Sequence, residues 1–83
     1  MMHIKFKFWG DSLEAVRDRL PTAKVVGNDG KKRIVEADAY DNGIVMWLLS
    51  QREFLEVLEP YSLREEIKET LKNMLKNYSK DET

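Results

Sequence analysis

Strict alternation of hydrophobic and polar side chains marks the first part of the chain. Within residues 3–9, every second side chain is apolar and points to one side: Ile4, Phe6 and Phe8. A period of two predicts a β-strand with one buried face. The opposite face of this strand carries the intervening side chains: His3, Lys5, Lys7 and Trp9.

A helix and a β-hairpin are predicted next. The run 11–14, Asp-Ser-Leu-Glu, has the cap residue and third-position acid of a helix start. Apolar side chains follow it at helical spacing, at Leu13, Val16 and Leu20. Pro21 ends this helix. Two strand-like runs, 24–27 and 33–40, then flank residues 28–30, Asn-Asp-Gly, which tolerate the positive φ of a hairpin turn.

The second half of the chain predicts two helices separated by a short strand. Residues 44–49 are apolar on every side, which predicts a largely buried helix capped within 41–42. A strand over 54–58 is closed by Pro60, which has no amide hydrogen for a continuing ladder. The run 62–65, Ser-Leu-Arg-Glu, is a capping box. It opens a long amphipathic helix with an apolar face: Leu63, Ile67, Leu71, Met74 and Tyr78.

This order of elements predicts an α+β domain. The first six elements match a ferredoxin-like βαββαβ antiparallel sheet, and the long C-terminal helix is additional. The first and third strands should be antiparallel neighbours, which sets Lys5 and Lys7 against Glu36 and Asp38 on the face away from the helices. The residues expected to form the structural core are Phe6, Phe8, Trp47, Leu48, Leu58, Ile67 and Leu71.

Composition narrows the class of protein. Eighty-three residues are enough for one domain, and 14 basic against 15 acidic side chains leave no global field to attract nucleic acid. The chain has no cysteine, so disulfides, thiolate nucleophiles and cysteine-based zinc sites are excluded. The longest apolar run, 44–49, is far shorter than the roughly 20 residues of a membrane span. We therefore expect a cytoplasmic protein with no membrane association.

No catalytic or metal-binding constellation is visible. His3 is the only histidine, so neither a Ser-His pair nor a multi-histidine metal site can be assembled. The glycines of 27–30 lack the strand-to-helix setting of a phosphate loop. Two carboxylate pairs are candidate acid–base groups, but nothing marks a pocket around them: Glu65 with Glu66, and Glu56 with Glu59. The sequence therefore predicts a non-enzymatic protein with no catalytic site, metal or cofactor.

A row of basic side chains follows the last predicted helix in four-residue steps: Arg64, Lys68, Lys72, Lys76 and Lys80. A functional interpretation is a contact with an anion or with an acidic partner surface. The alternative, which we favour, is a solvated face opposite the apolar stripe.

The open face of the predicted sheet is a second candidate contact surface, through Lys5, Lys7, Trp9 and Tyr40. An RNA-recognition domain has the same order of elements and stacks bases on aromatic side chains of its central strands. Glu36 and Asp38 occupy that face here, which argues against RNA binding. An edge contact with a neighbouring domain explains Trp9 and Tyr40 equally well.

From residue 40 to residue 78 the chain resembles the C-terminal extension, or WCX domain, that follows the WYL domain in bacterial transcriptional regulators. That family has a Trp-Leu-Leu core helix, a strand ending Val-Leu-Glu-Pro, and Leu-Arg-Glu opening a long helix that ends near a tyrosine. The matching residues are Trp47–Leu49, Val57–Pro60, Leu63–Glu65 and Tyr78. The resemblance extends more loosely over the front of the chain. One departure is Arg52, near the place where the family usually has glycine; if the backbone there keeps a positive φ, Arg52 is strained by about 1 kcal/mol.

The resemblance implies one regulatory domain over residues 1–83, and we expect the chain to be a fragment of a longer regulator. A WYL domain of the same chain would be its partner, and an N-terminal helix-turn-helix, absent here, would read DNA. The WYL and extension domains are thought to sense an effector, here of unidentified chemistry, and to govern dimerisation. We therefore expect a homo-oligomer that uses the open sheet face, an edge strand or the last helix. The family's effector-contacting arginines belong to the WYL domain, so no binding residue is transferred to this chain.

Two alternatives share this order of elements. A small-molecule-binding regulatory domain of the amino-acid-sensing type usually has a glycine-rich first loop, of which residues 9–11, Trp-Gly-Asp, are a faint counterpart. A small enzyme that hydrolyses acyl phosphates would need a buried arginine and an asparagine loop, and neither is recognisable in the sequence.

Overall fold

A computed structural model describes residues 1–79. Its elements, in chain order, are β1 (Met2–Phe8), α1 (Leu13–Arg19), β2 (Lys24–Asp29), β3 (Lys32–Ala39), α2 (Ile44–Ser50), a 3₁₀ turn (Arg52–Phe54), β4 (Leu55–Glu59) and α3 (Tyr61–Ser79). The four strands form one sheet in the order β2-β3-β1-β4, and each neighbouring pair is antiparallel. The predicted α+β, ferredoxin-like fold with an additional C-terminal helix is thus confirmed.

The core lies between one face of the sheet and the helices. Phe6 is fully buried at the centre of β1, and its ring meets that of Trp47 edge-on, with the centroids 6.2 Å apart. Such an aromatic pair contributes about 0.5–1.5 kcal/mol beyond the area it buries. Trp47 is half-buried against the core rather than enclosed by it. The fully packed core comprises Ile4, Phe6, Phe8, Val16, Leu20, Ala23, Val35, Ala37, Ala39, Ile44, Leu48, Val57 and Leu63.

Local signals in the sequence place two of the element boundaries. The Ser12 hydroxyl accepts a hydrogen bond from the Ala15 amide at 3.1 Å, so the first helix is capped as its sequence predicts. The hairpin turn lies later than predicted, because Asp29 still pairs with Lys32 and the two turn residues are 30–31. Gly30 has a φ of 63°, which the first central position of a tight hairpin turn requires.

Three sequence-based predictions about buried or capping residues are wrong. β4 buries Val57, which lies opposite Phe6, and alternation along the strand turns Leu58 away from the core. Met46 on α2 is 78% exposed, because a helix that lies on a sheet buries only one side. Ser62 lies inside α3, since the helix begins at Tyr61 and the Pro60 carbonyl accepts the first helical hydrogen bonds.

Leu71 is also not a core residue, although Ile67, one turn earlier, packs against the core. The two neighbouring elements differ in length. The 19 residues of α3 span about 28 Å, whereas the five residues of β4 span about 17 Å. The last third of α3 therefore has no equal length of strand beside it, and all of residues 71–79 are exposed.

The register of the central strands fulfils only part of the predicted charge pairing. Lys5 lies opposite Glu36. Lys7 lies opposite Ile34, and Asp38 lies opposite His3, so only one of the two lysines faces one of the two acids directly. The inward faces of both strands are as predicted, because side chains alternate with a period of two.

Candidate functional site

An apolar groove runs between α2, β4 and α3. Its volume is about 520 Å³. The apolar side chains of the wall come from all three elements: Leu48, Leu49, Leu55, Val57, Ile67, Leu71 and Met74. Polar side chains at the groove belong to Arg52, Glu56, Arg64 and Lys68. We call this feature the α3 groove. Sequence analysis placed these apolar residues in the predicted buried helix, the short strand and the last helix, but it did not predict a groove between them.

The backbone at Arg52 shapes one end of the α3 groove. Arg52 has a φ of 61°, in the left-handed region that favours glycine, and it turns the chain from α2 into β4. The resemblance to the WCX family raised the question of a positive φ at this position. The structure shows that Arg52 has one. The Arg52 side chain lies 3.3 Å from the Glu53 carboxylate and over the Phe54 ring, both exposed contacts of small energy.

Four exposed apolar side chains continue from the α3 groove along the outer part of α3: Leu71, Met74, Leu75 and Tyr78. They are between 45 and 71% exposed and follow one another at intervals of three, one and three residues, so they share one side of the helix. We call them the α3 stripe. The sequence predicted all but Leu75, which lies one turn after Leu71 and was identifiable from that spacing. Exposed apolar side chains arranged in this way are a candidate interaction surface.

Arg64 links α3 to the edge strand β4 through two hydrogen bonds. Its Nη1 donates to Oε2 of Glu56 at 2.8 Å and to the Val57 carbonyl at 2.7 Å. The first of these bonds holds the pKa of the Glu56 carboxyl below its usual value. Arg64 was predicted as an anion or partner contact, and the structure shows its guanidinium engaged within the domain.

The other lysines of the predicted basic row differ in their surroundings on α3. Lys68 lines the α3 groove, and Lys72 and Lys76 are exposed farther along the helix. Lys80 lies outside the described residues. With about 100° per residue, Lys68 and Lys72 lie about 60° and about 100° around the helix from Leu71, on one flank of the α3 stripe. The opposite flank carries the uncharged side chains of Thr70 and Asn77.

Ion pairs cover much of the open sheet face. His3 lies between Glu36 and Asp38, with Nε2 2.7 Å from Oε1 of Glu36 and Nδ1 2.8 Å from Oδ1 of Asp38. The hydrogen bond to Glu36, and after it the one to Asp38, raises the pKa of His3. The hydrogen bond between His3 and Glu36 also lowers the pKa of Glu36. Lys7 donates to Asp29 at 2.8 Å, which raises the pKa of Lys7. Sequence analysis had treated His3 as an isolated exposed side chain and missed this cluster.

The structure does not gather the four predicted open-face residues at one place. Lys5 and Lys7 lie within β1, and the Lys5 ammonium is 3.8 Å from the Glu59 carboxylate. Trp9 follows the last residue of β1 and lies beneath the ammonium of Lys32, 3.9 Å from its ring centroid. Tyr40 follows β3 near the start of β1, because Met2 pairs with Ala39. The two aromatic rings thus lie at opposite ends of the sheet.

Two observations concern the candidate acid–base and metal-binding groups among residues 1–79. In this part of the chain, no group of three or more histidine, cysteine, aspartate or glutamate side chains is arranged to hold a metal ion. Glu56, one of the candidate acid–base carboxylates, has its pKa lowered rather than raised towards neutrality. Among the described helices, none combines the length and apolar character needed to cross a membrane.

The chain was compared with curated proteins, solved structures and protein-family models. No curated protein and no solved structure matches the chain significantly. The family model of the WCX domain matches residues 2–75, which include every strand, α1, α2 and most of α3. The chain therefore belongs to the WCX domain family, whose members are regulatory C-terminal modules of WYL regulators.

Proposed function

We propose that this chain is a non-enzymatic regulatory module of a bacterial WYL-type transcriptional regulator, and that it acts through protein contacts of the α3 groove and the α3 stripe. Membership of the WCX family supports the regulatory role. The observation that carries the proposal is the exposed α3 stripe, which continues an apolar groove and has no covering element among residues 1–79.

Burial of this surface would contribute favourable free energy to a contact. Complete burial of one large apolar side chain contributes about 1.5–3 kcal/mol, so side chains that are roughly half exposed can each contribute about 1 kcal/mol more. Four such side chains would contribute about 4 kcal/mol, roughly half of the 8 kcal/mol of a micromolar complex, so the walls of the α3 groove must supply the remainder. The WYL domain of the same regulator and a second copy of the chain are the proposed partners in assembly, and contact with either would relay an effector's presence.

DNA recognition is assigned to the helix-turn-helix of the full regulator, in the cytoplasm. The open sheet face of this module offers few unpaired cations for phosphate, because Lys7 is held by Asp29 and the acids Glu36 and Asp38 flank His3. Binding of operator DNA by the 83-residue chain alone should therefore be absent.

A reporter assay tests the proposal. The chain is joined to the helix-turn-helix and WYL domains of a WYL-type regulator, and Leu75→Glu is compared with Asn73→Glu. Leu75 is 66% exposed, so the charge costs little folding free energy but opposes burial in a contact. Asn73 lies on the far side of the same helix and is the matched control. We expect Leu75→Glu to change reporter output and Asn73→Glu to leave it unaltered; equal outputs from all three proteins would contradict the proposal.

A second candidate, a small-molecule-binding regulatory domain of the amino-acid-sensing type, is favoured by the size of the α3 groove. About 520 Å³ lies within the range of small-molecule sites, and Arg52 and Lys68 supply cationic groups at its edge. Thermal shift with a panel of amino acids separates the candidates. A ligand that raises the melting temperature of the wild-type chain, and raises it less in Lys68→Gln, would support this second function.

A further inference from the structure

We infer that the partner of this surface is an amphipathic helix with carboxylates beside its apolar face, which lies along the α3 groove and the α3 stripe. The inference rests on the proposed function and deepens it, because it names the chemistry of the contact. Four observations support it. They are the length of the apolar surface, the α3 groove at one end of that surface, the lysines along one flank, and the repulsion between these lysines when two copies of α3 pair.

The length of the surface matches a helix better than a small molecule. Ile67 lies in the α3 groove and Tyr78 ends the α3 stripe, so the apolar surface extends over about 16 Å of helix. A ligand that filled only the groove would leave Leu75 and Tyr78 in water. A partner helix of about three turns covers both features at once, with apolar side chains at helical spacing inserted between α2 and α3.

The cationic flank selects the sign of the partner's charges. Lys68 and Lys72 lie beside the apolar surface on one flank, which also carries Glu65 near the start of α3, and Thr70 and Asn77 on the other flank are uncharged. A helix docked on this surface therefore places one of its own flanks next to two ammonium groups. Carboxylates at those positions would be attracted, whereas lysines would be repelled.

The same flank disfavours antiparallel pairing with the α3 of a second copy. A two-fold axis perpendicular to two antiparallel helices brings equivalent flanks together. With the axis near Leu71, the Lys68 and Lys72 side chains of one copy would face those of the other copy, and like charges at a contact are unfavourable. Antiparallel pairing of two copies of α3 in this register is therefore disfavoured.

A membrane surface is also a poor match. A helix that lies on anionic lipid usually carries cations on both sides of its apolar face. Here the cations follow one flank, and the apolar surface is partly a groove between two elements rather than a convex ridge. A convex helix fits such a groove, whereas a flat bilayer does not.

The test uses the 83-residue chain and two designed helical peptides of about 14 residues. Both peptides carry leucines at helical spacing; one has two glutamates on the flank that meets Lys68 and Lys72, and the other has two lysines there. Affinity is measured by fluorescence anisotropy, and the contact is mapped by backbone amide chemical shifts. We expect the acidic peptide to bind about tenfold more tightly, with shifts at α2, β4 and the outer part of α3.

Charge reversal provides the decisive comparison. The double variant Lys68→Glu/Lys72→Glu should prefer the basic peptide, whereas Lys31→Glu, a substitution of the same sign on the distant hairpin turn, should keep the wild-type preference. Equal affinities for the two peptides, no binding of either, or shifts confined to the open sheet face would overturn the inference. So would binding to anionic lipid vesicles without peptide selectivity, or self-association abolished by Leu75→Glu in a chain that binds neither peptide.

The two proposals fail in distinguishable ways. If Leu75→Glu changes the reporter output but the chain shows no preference between the peptides, the proposed function stands and only the chemistry assigned to the partner is wrong. If Leu75→Glu leaves the reporter output unaltered, the surface has no regulatory role, whatever the peptides do.

Discussion

Replacement of Arg52 by glycine should stabilise the domain. Arg52 has a φ of 61°, and a residue with a Cβ atom costs about 1–2 kcal/mol in this left-handed conformation. Glycine removes that cost because it has no Cβ atom, but it loses about 0.5–1 kcal/mol of additional conformational entropy on folding. The contacts that are lost, with Glu53 and Phe54, are exposed and contribute a few tenths of a kcal/mol each. The net expectation is a gain of a few tenths of a kcal/mol.

Comparison with alanine isolates the backbone effect. Arg52→Ala loses the same two side-chain contacts and retains a Cβ atom at positive φ, so it should be less stable than the wild-type chain. We expect the glycine variant to exceed the alanine variant by about 1 kcal/mol, which corresponds to about 4–8 °C in melting temperature for a domain of this size. Arg52→Asn should lie between them, because asparagine tolerates this conformation better than alanine.

Urea and thermal unfolding followed by circular dichroism measure these differences. The m-values of the variants should agree, since the substitution lies in a turn and the surface exposed on unfolding is unchanged. An alanine variant as stable as the glycine variant would refute the reasoning, because it would mean that no backbone cost exists at this position.

Three further predictions concern the core, the edge strand and the open sheet face. Phe6→Ala should cost about 3–5 kcal/mol, comparable to the whole stability of a small domain, and circular dichroism at 25 °C should show partial or complete unfolding. Arg64→Met should cost about 1–2 kcal/mol in urea unfolding and return the Glu56 pKa towards its ordinary value, measured by carboxyl NMR titration; an unmoved pKa would contradict the assigned hydrogen bond. Glu36 and Asp38 raise the pKa of His3 in the folded state. Protonated His3 therefore stabilises the fold fully below its unfolded-state pKa of about 6.5, and this stabilisation is lost as the pH rises through the folded-state pKa. His3→Gln should remove this pH dependence from the melting temperature, and an unchanged pH profile would exclude the effect.

The alternation of residues 3–9 and the helical spacing of Leu63 and Ile67 determined β1, the first part of α3 and their inward faces. These patterns suffice because side-chain direction follows from backbone periodicity, which is a local property. The order of elements then left few topologies, and the family motif within residues 47–65 identified the module.

Tertiary structure alone decided which apolar residues are covered and which are exposed. Leu71 continues the same spacing as Ile67, yet Leu71 is half exposed whereas Ile67 packs against the core. Val57 rather than Leu58 enters the core because its partner in the register is Phe6, and the pairing of His3 with Glu36 and Asp38 follows from the same register. Burial and strand pairing depend on what lies across space from a residue, and the local sequence pattern of one segment contains no information about the length or register of its neighbour.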